Sequence, residues 1–259
     1  MIVTSAAKLA WEKSIRAIVT ALTLTLFAAT SHAGPAPPTP QEIAAFKAHN
    51  EDIVARSPHA DGVFVVQGDG TIKHVQSGMV CTANFTNVNF WHAEVFDDGK
   101  GLDVGCDYGR NGADGKWISK LTIFAVKSPE GATLDNVFAH YKQEVERTYP
   151  AAVAMAPALQ MNSKMVYRAQ GYTVAVDGGS RHEELIVGLT NGWTIEVRAS
   201  YPHAGIVVKD ANDKTDLKNQ LFDIESPYLS FMAAVTSLEE AARSAGPSQP
   251  STLGLPQNH

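Results

Sequence analysis

Two cysteines, Cys81 and Cys106, are the only ones in the chain, and the second sits inside a strict two-residue alternation. Leu102, Val104, Cys106 and Tyr108 alternate with Asp103, Gly105 and Asp107. That period belongs to a β-strand with one apolar and one acidic face, so Cys106 points into a core. In an oxidising compartment two such cysteines pair as one bridge. The bridge closes a loop of 26 residues, and chain-entropy arguments give such a closure ~3.5 kcal/mol.

The amino end supplies the matching address. Lys8, Lys13 and Arg16 precede the uncharged stretch Ala17–Ala29, and Ser31-His32-Ala33 offers small residues before Gly34. These three parts make residues 1–33 a signal peptide. The stretch is shorter than the ~20 apolar residues a membrane-spanning helix needs. The expected location is therefore periplasmic or secreted, with no membrane span in the mature chain. Loss of three basic residues and one acid moves the net charge from −6 to −8, which argues against nucleic acid as a partner.

Gly34–Thr39 reads as a proline-rich spacer, residues 40–244 as a single domain, and residues 245–259 as a flexible tail. Thr39-Pro40-Gln41-Glu42 predicts a helix start, with an apolar stripe running to about residue 55. From residue 62 the period becomes two. Gly62–Gln67 and Thr71–Cys81 flank the turn Gly68-Asp69-Gly70, and Trp91–Asp97 and Leu102–Tyr108 flank Asp98–Gly101. Trp117–Lys127 is a further strand, Thr133 caps a helix over 134–148, and residues 151–163 fit no pattern. Strands follow at about 164–176, 182–189 and 193–201, and Ser226-Pro227 reads as the start of a last helix, with Leu229, Met232, Val235 and Leu238 inward. A two-residue Asn191-Gly192 turn would set Leu185 opposite Arg198. A three-residue loop would set Leu185 opposite Val197, and an expected single buried face selects the latter. The fold class is α+β: a mainly antiparallel sheet flanked by helices, with one disulfide.

The stretch LTIFAVK, the helix TLDNVFAHYKQEVE, then YRAQGYTVAV, LIVGLTNGWTIEVRASYP and FMAAVTSL resembles, over residues 118–240, the PsbP-like family of α-β-α sandwiches. That family includes an extrinsic photosystem subunit and many exported bacterial proteins. The resemblance implies an accessory or binding role and supplies no catalytic residue. The segments CTANF and GLDVGCDYG look more like exported bacterial proteins of unassigned activity.

Few residues suggest chemistry. A four-residue Asp98–Gly101 loop pairs Trp91 with Tyr108 and His92 with Asp107, and a carboxylate beside a histidine is the arrangement a hydrolase-type general base uses. The ordinary alternative is a cross-strand polar pair. Asp97, Asp98, Asp103, Asp107 and Asp114 gather in a glycine-rich region. Asp98, Asp103 and Asp107 are candidate ligands for a stabilising calcium ion, with turn chemistry as the alternative. His182-Glu183-Glu184 lacks zinc-protease spacing, and no nucleophile elbow or phosphate loop is present, so no cofactor is implied. Phe90, Trp91, Tyr108 and Trp193 are either a ligand groove or core. The leading expectation is a non-catalytic module whose partner is an envelope protein or a small molecule.

Overall fold

Thr133 begins the best-defined helix of the chain. Its hydroxyl accepts a hydrogen bond from the Asn136 backbone N–H at 3.3 Å, and the helix runs over Leu134–Thr148 until Pro150 forbids continuation. The computed structural model describes residues 39–81, 84–85, 88–97, 99–111, 117–158, 166–176, 179–202 and 214–244. The leader 1–33, nearly all of the spacer and the tail 245–259 lie outside them, as do Asp98 and Asp114.

The chain enters through α1 (Pro40–Arg56) and a three-stranded antiparallel sheet of β1 (Phe64–Val66), β2 (Ile72–His74) and β3 (Val80–Cys81). The Asn50 side-chain amide donates to the Gly70 carbonyl at 2.6 Å, which ties α1 to the β1–β2 turn. The single strand expected over Thr71–Cys81 is split in two. The chain reverses after His74 through Gly78, whose φ of +79° suits glycine. A Cβ there would also sit 2.2 Å from the Ala241 Cβ of the last helix.

The large sheet has the order β4-β5-β6-β7-β11-β10-β9-β8, antiparallel throughout. Its strands are β4 (Asn84–Phe85), β5 (Val88–Val95), β6 (Asp103–Asn111), β7 (Trp117–Lys127), β8 (Val153–Met155), β9 (Tyr167–Val176), β10 (Gly179–Thr190) and β11 (Trp193–Pro202). Helix α2 (Leu134–Thr148) crosses between β7 and β8 and packs on β9 and β10. Helix α3 (Lys214–Ser244) covers β7, β10, β11 and β3 on the opposite face. The class is therefore α+β, with helical layers on both sides of an antiparallel sheet. The described residues from Pro40 to Ser244 form one compact unit, and no helix among them is long and apolar enough to cross a membrane.

Two cores follow from the two covered faces. Under α3 lie Cys106, Tyr108, Ile123, Ile195, Val197, Phe231 and Leu238. Under α2 lie Tyr172, Val174, Leu185 and Val187, packed against Val137, Phe138 and Val145. Burial on both sides overturns the expected β10–β11 register. Leu185 pairs with Arg198 and Val187 with Glu196, across the two-residue Asn191-Gly192 turn. Both turn residues have positive φ, 51° and 74°, which the right-handed twist of a tight hairpin requires and which Asn-Gly adopts at low cost. With apolar cores on both faces, register no longer needs all the branched residues on one side.

Helix α3 also differs from expectation. It runs through Pro227 rather than starting there, and its buried stripe is Tyr228, Phe231, Ala234, Val235 and Leu238. Leu229 and Met232 face out, 53% and 37% exposed.

Cys81 and Cys106 form the expected disulfide, with Cα atoms 6.0 Å apart and both residues buried. The bridge fastens β3 of the small sheet to β6 of the large one.

Candidate functional site

Strand β5 carries one residue more than its partner between Phe90 and His92. Phe90 pairs with Tyr108 and His92 with Asp107, so Trp91 is the extra residue of a β-bulge. The expected Trp91–Tyr108 pair is thereby replaced. Phe90 stays inside, 5.4 Å from the Tyr108 ring, while Trp91 is 41% exposed. Phe90, Tyr108 and Trp193 are core; Trp91 alone of the four aromatics reaches the surface, where it borders an open cleft of about 850 Å³ between α1 and the β5–β6 edge.

Beyond the bulge the ladder is regular, and His92 and Glu94 share a face with Asp107. Asp107 is almost fully buried. One of its oxygens, Oδ1, accepts a hydrogen bond from the Thr122 hydroxyl on β7, while Oδ2 lies 3.6 Å from Lys120 Nζ. His92 Nδ1 is 3.1 Å from Glu94 Oε1, and both side chains are 31% exposed. The donor atoms of His92, Glu94 and Asp107 all lie within 4.8 Å of one another. Among the described residues this is the group of three metal-capable side chains that converges.

Of the other acids of the region, Asp97 and Asp103 are described, and they serve elsewhere. Asp97 Oδ1 accepts from the Gly101 N–H at 2.9 Å and Oδ2 accepts from the Leu102 N–H, so it closes the β5–β6 turn. Asp103 lies four residues from Asp107 on the same strand, about 13 Å along a β ladder. Burial raises its pKa, with Asp97 and Glu144 adding to the rise. Asp103 and Asp107 therefore do not share a cation site.

A second polar group lies toward α2. Glu196, buried on β11, pairs with Arg198, which also donates to Glu144 of α2 at 2.7 Å. Burial pushes the Glu196 carboxyl up to about 7 even though Arg198 pulls it back.

A third group lies in the interior. His182 and Glu184 point under α3, with Nε2 and Oε2 2.6 Å apart. The Tyr228 hydroxyl donates to Glu184 Oε1, and the Ala158 N–H lies 3.3 Å from both carboxylate oxygens. His182 stacks on Tyr201 at 4.8 Å. Glu183 faces the other way, accepting from the Ser200 hydroxyl at 2.5 Å.

The sequence reading found His92 with Asp107 but missed Glu94 and the Glu184–Tyr228 pair. The signal was His-x-Glu on a strand, at 92–94 and 182–184; a third copy, 49–51, lies in helix α1. On a strand that spacing puts both side chains on one face. The interior copy is closed by Tyr228, whereas the β5 copy opens toward solvent beside Asp107. No protein-family model and no curated protein matches this chain.

Proposed function

We propose that the chain is an exported protein, periplasmic or secreted, acting as a non-catalytic binding or accessory module. The observation that carries this reading is the buried Cys81–Cys106 bridge between two sheets. Bridges of this kind form and persist outside the reducing cytosol, and the leader pattern of residues 1–33 agrees with that address. The sandwich of helices and antiparallel sheet is compatible with the PsbP-like resemblance and its accessory role. The binding surface is the polar end of the α2-side sheet face, where His92, Glu94 and Asp107 converge.

Two other readings have less support. A hydrolase-type base needs His92 steered by Asp107, yet His92 Nδ1 meets Glu94, and Asp107 is engaged by Thr122 and Lys120. A calcium-stabilised fold needs Asp103 and Asp107 at one point, and they are about 13 Å apart along the ladder.

Fractionation of the native cell with amino-terminal sequencing tests the proposal. The expected product is in the envelope or the medium and begins at Gly34. A cytosolic product with the leader attached contradicts it.

A further inference from the structure

We infer that His92, Glu94 and Asp107 bind a divalent transition-metal ion of the zinc class, three protein donors leaving at least one position for water or a partner's ligand. This names the ligand of the binding surface proposed above and rests on that reading.

Donor chemistry narrows the ion. Calcium and magnesium take oxygen donors, calcium six to eight of them. A set of one imidazole nitrogen and two carboxylates suits zinc and its transition-series neighbours, and three protein donors with an open position is the pattern of accessible zinc sites.

Distance fits as well. His92 Nδ1 and Glu94 Oε1 are 3.1 Å apart, close to the ~3.3 Å edge of a tetrahedron built on ~2.0 Å bonds. Asp107 completes the triangle, with all three donor atoms within 4.8 Å of one another.

Asp107 supplies an observation independent of the clustering. It is a buried carboxylate, and burying a negative charge demands a compensating cation. Thr122 fixes Oδ1 from the neighbouring strand, as outer partners fix ligating carboxylates in metal sites. Among the described residues Oδ2 faces the Lys120 ammonium at 3.6 Å, on a side chain half exposed to solvent. Lys120 supplies the positive charge when no ion is bound and competes with the ion for the place. The interior His182–Glu184 pair shows the contrast: Tyr228 and the Ala158 N–H take up the carboxylate, leaving no vacancy for a cation.

The test is calorimetric titration of untagged, disulfide-intact mature protein with Zn²⁺ and, separately, Ca²⁺, with Co²⁺ absorption as an independent readout of ligand geometry. The variants are His92→Gln, Glu94→Gln and Lys120→Met, each checked for native folding by circular dichroism and thermal melting. Wild-type protein is expected to bind one Zn²⁺, with visible Co²⁺ bands of low coordination number. Affinity should fall ~10- to 100-fold or more in His92→Gln and Glu94→Gln, and rise several-fold in Lys120→Met. Absent saturable Zn²⁺ binding, tighter binding of Ca²⁺ than of Zn²⁺, or unchanged affinity in folded His92→Gln and Glu94→Gln proteins overturns the inference. Failure of the metal titration leaves the exported binding module standing, because that reading is tested by fractionation and by the bridge.

Discussion

Tyr228 of α3 donates its hydroxyl to Glu184 of β10, a buried carboxylate that also holds His182 at 2.6 Å. The contact joins the helix just past Pro227 to the centre of the sheet, where an unpartnered carboxylate would be costly. Tyr228→Phe removes that bond without changing shape. Hydrogen bonds to charged groups contribute about 1.5–3 kcal/mol, and the variant is expected to lose that much in urea unfolding with an unchanged m-value. A loss below ~0.5 kcal/mol would mean that the bond adds little beyond what water supplies.

The pH dependence of stability is expected to hide two opposed slopes. His74 is buried between the Phe64 and Trp193 rings, and burial lowers its pKa from 6.5 to about 4, partly offset by the Gly101 backbone and Asp97. Between pH 4 and 6.5 the unfolded chain binds the proton that folded His74 refuses, so this group makes stability rise with pH. Its contribution is complete above 6.5 and is lost as pH falls through 4. Glu196 runs the other way: between pH 4.5 and about 7 the folded state keeps a proton that the unfolded state releases, so stability falls as pH rises. Each slope is at most ~1.4 kcal/mol per pH unit.

Single substitutions separate the two. Relative to wild type, His74→Leu should make stability fall more steeply, or rise less, as pH rises from 4.5 to 6.5, and Glu196→Gln should shift the slope the opposite way. Chemical denaturation at half-unit pH steps reads both slopes. Matching slopes in the two variants would show that neither group is perturbed as described.

The bulge at Trp91 makes a deletion prediction. Removing Trp91 aligns Phe90–Tyr108 and His92–Asp107 as successive pairs, so Phe90 stays in the core and His92 stays outside. Removing Ala93 instead moves Glu94 and every residue toward β4 or the turn onto the wrong face. The Trp91 deletion is expected to fold and the Ala93 deletion not to, as read by thermal melting and near-ultraviolet circular dichroism. The reverse ranking would place the bulge elsewhere.

Local signals were legible where one residue decided the structure. Thr133 and Pro150 bound α2, the alternation around Cys106 sets the face of β6, and two cysteines leave one pairing. What could not be read depended on tertiary cover. The β10–β11 register follows from helices on both faces, which a one-sided amphipathic pattern does not express. Pro227 looks like a helix start from its neighbours alone, and only the buried stripe through Phe231 and Leu238 carries the helix past it. Glu94 escaped notice because its partner lies two residues away on its own strand, rather than across the pair.

The bridge between β3 and β6 fastens the small sheet to the large one. The decisive measurement is thiol titration of the mature protein taken from the envelope or medium, denatured without reductant and then again after reduction. No reactive thiol is expected in the first titration and two in the second. Reduction should lower the melting temperature by about 7–14 °C, from ~3.5 kcal/mol of loop closure. Two reactive thiols before reduction would contradict both the fastening of the two sheets and the oxidising address.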